Sequence, residues 1–182
     1  MDQNLFPGFE LRDMEVGEGM LLRVRTDGSG PPLLLLHGHP QTHAIWHEVA
    51  LELARRYTLV APDLRGYGDS SRPPRLPDHS DYAKRAMALD VLHPMRQLGH
   101  ERFDVLAHDH GARVAHRLAA DHAEAVGRMV LLDIAPTLAM YEQTNETFAR
   151  AEWHWFFLIQ RAPMRERRIE ADPEAYLRNV MV

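Results

Sequence analysis

Phe103-Asp-Val-Leu-Ala-His-Asp-His-Gly-Ala-Arg113 is the stretch on which the reading of this chain turns. It runs as an apolar strand, a sharp turn of small residues and the opening of a helix, with Asp109 at the apex. Ala107 and Gly111 flank Asp109 at the two positions where a strand-to-helix nucleophile turn needs small groups. A larger side chain at either would push the helix away from the strand. A serine at the apex would attack acyl carbon. A carboxylate attacks saturated carbon and leaves an alkyl ester on the enzyme. The plainer alternative is that Asp109 caps a helix beginning near Ala112.

Outward from this stretch, strand and helix signals alternate. Met20–Val24 and Leu33–Leu36 read as strands separated by the turn at Thr26–Pro32. Trp46–Arg56 has helical spacing, with Trp46, Val49, Ala50, Leu53 and Ala54 on one face. Thr58–Ala61 is a strand, and Asp63–His79 a long loop in which Asp63 and Arg65 look structural. Tyr82–Leu98 is a helix stopping at Gly99, Ala112–His122 a second and Met129–Asp133 a last strand. This order specifies an α/β fold, a mostly parallel sheet with helices on both faces. The continuous runs Leu33–Leu36 and Met129–Leu132 suit strands buried on both sides. After Pro136 the sequence becomes aromatic and helical. Thr144–Ile159 is one helix candidate, Arg165–Arg168 a charged stretch, and Pro173 opens a last helix to Val182. The expected division is a core over 1–137 and the start of a helical cap over 138–182.

Composition narrows the function classes. The chain has 182 residues, 45% hydrophobic and 26% charged, with a net charge of −5. Basic residues are scattered, which argues against nucleic-acid binding. Without cysteine there are no disulfides or thiolate metal sites. No basic-then-apolar opening suggests a signal peptide, and no apolar run is membrane-length, so a cytoplasmic location is expected. Lys84 is the only lysine among many arginines and reads as a genome bias.

Several segments together resemble the haloacetate dehalogenase branch of the α/β-hydrolases, the group that includes fluoroacetate dehalogenases. They are Leu5–Phe9, Pro31–His43, Asp63–Gly68, Tyr82–Met87, Gln97–His100, His108–Val114, Leu132–Ile134 and His154-Trp155. The resemblance implies an α/β-hydrolase fold whose late strands and most of whose helical lid are missing from this chain. It implies Asp109 as nucleophile and Asp133 as the acid orienting a catalytic histidine. The backbone N–H groups of His39 and His110 would form the oxyanion hole. Arg113 would grip the substrate carboxylate, and His154 with Trp155 would bind the departing halide. A guanidinium fork suits a carboxylate, and ring N–H groups suit a halide. Arg113 as a surface ion pair and Trp155 as lid core are the competing readings.

This sequence departs from the pattern in three places. His110 stands where the family has a second arginine, so one permanent charge of the carboxylate clamp becomes a titratable group. His39 replaces an aromatic residue. The family's catalytic histidine follows the last strand of the sheet, downstream of Val182, so impaired turnover is expected. The substrate would be a small molecule, a haloacid or, in the rival reading, an epoxide, with no cofactor and no metal. His37 with His39, and His43 with His47, have spacings compatible with zinc. A non-catalytic fragment, a homodimer, or a subunit needing a complementing chain is the remaining alternative.

Overall fold

The computed structural model describes residues 5–74 and 76–180. Six strands form one sheet: β1 Glu10–Gly17, β2 Met20–Asp27, β3 Pro32–Leu36, β4 Thr58–Pro62, β5 Phe103–His108 and β6 Val126–Leu132. Their spatial order is β1-β2-β4-β3-β5-β6. The four strands from β4 to β6 run parallel, while β2 is antiparallel to both β1 and β4. The mostly parallel sheet is as expected. Strand β1 is an addition, joined to β2 through the tight turn at Gly17–Gly19.

Alternation along the central strands explains the two layers. Leu34 and Leu36 of β3 enter one core with Val60, Val105 and Ala107. Leu33 and Leu35 enter the other with Leu59, Ala61, Phe6, Phe9 and Trp46. Side chains of a strand point alternately to opposite faces, so an all-leucine run fits only where both faces are covered. The first core is closed by α2 Lys84–Gln97 and α3 Asp109–Asp121, the second by α1 His47–Ala54. A short 3-10 turn, His43–Trp46, leads into α1, which therefore starts one residue later than the spacing suggested. Val49, expected on its buried face, is 44% exposed, because Trp46 and Ala50 already fill the contact. Helix α2 ends as expected: Gly99 adopts φ +83, its N–H bonds to Arg96 O, and His100 N–H to Met95 O. This paired closure needs a left-handed residue, which glycine supplies at least cost. Arg65 forks onto Asp90 of α2 and tethers the loop after β4.

Strand β6 differs from its reading. It begins at Val126, and every residue from Gly127 to Leu132 is exposed, Val130 at 54%. The apolar run predicted burial on both sides. The strand instead lies at the rim of the sheet, paired among the described residues only with β5.

The chain divides into two compact units after Ile134. The second holds α4 Thr137–Glu142, α5 Glu146–Ala151, α6 Trp153–Leu158, α7 Met164–Ala171 and α8 Pro173–Val180. Helix α4 was not anticipated. The single helix expected over Thr144–Ile159 breaks at Glu152, whose φ of −103° and ψ of +35° leave the helical region. Asn145 caps α5 by accepting from Phe148 N–H. The charged stretch Arg165–Arg168 lies inside α7. The last helix is described to Val180; Met181 and Val182, to which it was expected to run, lie outside the described residues. Tyr141 and Phe148 each meet Phe156 edge-on, and Trp153, Phe157 and Tyr176 form a second aromatic group.

Candidate active site

The apex residue is strained. Asp109 has φ +46°, a conformation that side-chain-bearing residues rarely adopt and that concentrates at functional turns. Helix α3 begins at Asp109 itself, three residues before the expected start, and His108 occupies the N-cap position without capping the helix through its side chain. The Asp109 carboxylate therefore does not cap the helix. Its Oδ1 accepts the His39 backbone N–H at 2.9 Å, and Oδ2 accepts no hydrogen bond among the described residues.

The small residues are demanded by close approach. A Cβ on Gly111 would lie 2.5 Å from His37 O and 2.7 Å from Leu36 O. A Cβ on Gly38 would lie 2.8 Å from the Asp109 Cβ. Ala107 is fully buried. The loop after β3 is thus pressed onto the turn after β5, and this brings the His39 N–H to the carboxylate.

Side chains around that contact hold it in place. His37 is wholly buried; its Nδ1 donates to Gly38 O at 2.8 Å and its Nε2 accepts Leu64 N–H at 2.9 Å. Burial pushes its pKa down to about 4. Tyr67 lies edge-on to His37 and His39, and its hydroxyl is 3.0 Å from His39 Nδ1. His43 meets Asp63 Oδ1 through Nδ1 at 2.7 Å and takes Arg25 Nε–H on Nε2. His47 Nδ1 donates to Ala44 O. Both nitrogens of His37 and His43 are engaged within the protein, and no metal-holding cluster occurs among the described residues.

Two cationic residues belong to the helices that pack at the turn, α2 and α3. Arg113 lies on α3 one turn after Asp109, half-buried. Lys84, the first residue of α2, is also half-buried, and neither hydrogen bond nor ion pair engages its ammonium among the described residues. Burial and, next, the Arg113 charge lower its pKa to about 8, against the pull of the Asp109 carboxylate. His110 Nε2 rests 3.4 Å from Met87 Sδ. Burial first, then the Lys84 charge, hold His110 well below the ordinary imidazole range, so it is uncharged.

Asp133 follows β6 directly. His108 pairs in register with Leu132, so the residues after them, Asp109 and Asp133, leave adjacent strands at the same end of the sheet. Asp133 is exposed, has φ +52°, and stands 3.8 Å from His108 Nε2 through Oδ2. His154 and Trp155 belong to the second unit, neighbours on α6 with rings 5.5 Å apart. Tyr67 and Gln41, which bonds His108 Nδ1 at 3.1 Å, were not anticipated at the site. Only the tertiary placement of the loops reveals them.

Comparison with known proteins identifies the fold family. The α/β hydrolase fold family matches residues 31–180. A fluoroacetate dehalogenase from a Burkholderia species is 49% identical over 94% of this chain and 56% of its own length. A soluble epoxide hydrolase from Corynebacterium sp. strain C12 is 42% identical over 66% of this chain and 40% of its own length. The crystal structure of an α/β hydrolase from Nostoc sp. PCC 7120 superposes with a TM-score of 0.92 at 52% identity, covering 97% of this chain and 60% of the other. The chain spans about half the length of the curated relatives it matches.

Proposed function

We propose, from the premise that this chain belongs to the α/β-hydrolase family, that its site displaces halide from a 2-haloacid through an ester on Asp109. The observation that carries this reading is the Asp109 carboxylate itself, at φ +46°, with one oxygen held by the His39 N–H and the other open. Oδ2 attacks the carbon bearing the halogen. The carbon–oxygen bond forms as the carbon–halogen bond breaks, and the halide leaves with the bonding pair, so no proton moves. Oδ1 then becomes the carbonyl oxygen of the ester. The His39 N–H already points at it and would hold the negative charge that develops when water attacks the ester carbon. In this proposal Arg113 positions the substrate carboxylate and the His110 N–H is the second oxyanion donor.

Displacement needs only these groups. Ester hydrolysis also needs a base to activate water, which the resemblance assigns to a histidine after the last strand, with Asp133 orienting it. The ester on Asp109 is the intermediate that a test of the displacement step has to trap. Incubation with bromoacetate should give one carboxymethyl adduct by intact mass, together with bromide release, and Asp109→Asn should give neither. An unmodified wild-type protein, or equal labelling of both proteins, would refute the assignment.

The uncharged His110 and the likeness to an epoxide hydrolase favour a second reading, ring opening of an epoxide by the same carboxylate. Faster adduct formation with a neutral epoxide than with bromoacetate would select it.

A further inference from the structure

We propose that Tyr67 is a positioning residue of this site: its hydroxyl holds the His39 ring and so keeps the His39 backbone N–H on the Asp109 carboxylate. The chemical consequence rests on the haloacid reading above, while the geometry stands apart from it. Three histidines of the loop after β3 each bond one residue of the loop after β4. His37 Nε2 accepts the Leu64 N–H at 2.9 Å. His43 reaches Asp63 Oδ1 at 2.7 Å through its backbone N–H and again through Nδ1. His39 Nδ1 lies 3.0 Å from the Tyr67 hydroxyl. The outer two ties are buried, with His37 and Asp63 at 0% and 2% exposure. The middle one is half-buried and belongs to the residue whose N–H meets Asp109 Oδ1 at 2.9 Å.

Tyr67 is the firm side of that tie. Its N–H donates to Leu64 O at 2.9 Å, and its carbonyl accepts the Ser70 N–H at 3.1 Å. Ser70 is itself buried; its hydroxyl donates to Asp63 O at 2.6 Å and accepts the Arg23 N–H of β2 at 2.9 Å. The phenol ring also meets the buried His37 ring edge-on, with centroids 5.1 Å apart. His39, by contrast, lies outside any strand or helix, in the tight turn closed by the Gln41 N–H on Gly38 O at 3.0 Å. A ring pinned at Nδ1 restrains its own Cα, and the N–H leaves from that Cα. Drift of the turn away from Asp109 therefore strains the bond to Tyr67. A hydroxyl both donates and accepts, so it serves either neutral tautomer of the imidazole. A bare phenyl ring would keep the edge contacts and lose the tie.

Amide hydrogen exchange of the intact chain, followed by NMR, tests this without any substrate. In Tyr67→Phe the amide of His39 should exchange about three- to tenfold faster than in the parent, the factor expected for one lost hydrogen bond. The Leu64 amide, held by His37, should keep its rate. In His39→Phe, which has no Nδ1, adding Tyr67→Phe should change neither amide further, because the coupling of the pair is already gone. An unchanged His39 rate in Tyr67→Phe would overturn the proposal. So would equal acceleration at both amides, which marks general loosening of the two loops. The chemical readout is the carboxymethyl ester on Asp109. Hydroxylamine adds to its carbonyl carbon, places negative charge on Oδ1 and expels glycolate. This cleavage should slow about three- to tenfold in Tyr67→Phe, and cleavage at the parent rate would remove Tyr67 from the chemistry. A parent protein that forms no adduct refutes the haloacid reading, whereas the exchange result decides on Tyr67 by itself.

Discussion

At the scale of single residues, burial decides which groups carry charge. His37 is neutral because its complete burial denies a proton its solvation and outweighs the Gly38 O bond at Nδ1, which favours the charged form, while Nε2 already accepts the Leu64 N–H. Its folded pKa of about 4 lies below the ordinary imidazole value. A depressed histidine pKa means that the unfolded chain binds the extra proton first. The contribution is therefore complete above about pH 6.5 and is lost as pH falls toward 4, amounting to about 3 kcal/mol at full loss. Urea melts at pH 7 and pH 4.5 should differ by about 2 kcal/mol less in His37→Gln than in the parent. An identical pH dependence in the two proteins would remove His37 from this role. The sequence showed His37 only as one histidine of a possible metal pair. Its distant partner, Leu64, lies on the loop after β4, which no local spacing discloses.

At the scale of elements, the turn between β5 and α3 is the most legible feature of the chain and the least tolerant. Gly111→Ala would gain helix propensity of up to about 1 kcal/mol. It would also drive a methyl group into two backbone carbonyls that cannot swing aside. The clash wins, and a net destabilisation of about 1–3 kcal/mol is expected in chemical denaturation, with Asp109 labelling lost alongside. A variant of unchanged stability would show that the loop after β3 can retreat. The small-residue frame, the leucine strand, and the helix ending at Gly99 were readable because local geometry alone dictates those residues. Strand β1 was not. Of its residues only Met14 and Val16 are buried, and the charges of Glu10, Arg12, Asp13 and Glu15 hide the alternation. The break at Glu152 was equally silent, since that residue suits a helix and the aromatics on both sides keep helical spacing.

At the scale of the whole molecule, the sheet is unequal at its two sides. Strand β1 is charged and mostly polar on its outer face, whereas β6 shows Met129, Val130, Leu131 and Leu132 to solvent. An apolar rim that is paired on one edge only among the described residues is a template for another strand. The chain is therefore expected to self-associate as its concentration rises, and Val130→Lys should shift sedimentation toward the monomer. Equal association of the two proteins would place the contact elsewhere. The order of the strands also sets a timetable for synthesis. Strand β3 sits between β4 and β5, yet β5 is made long after it, with α1, β4 and α2 in between. At ordinary elongation rates the ribosome needs on the order of several seconds to reach β5. Throughout that interval Leu33–Leu36 has one edge paired at most, so the strand that anchors both cores is also the segment a nascent chain must keep from the wrong partner.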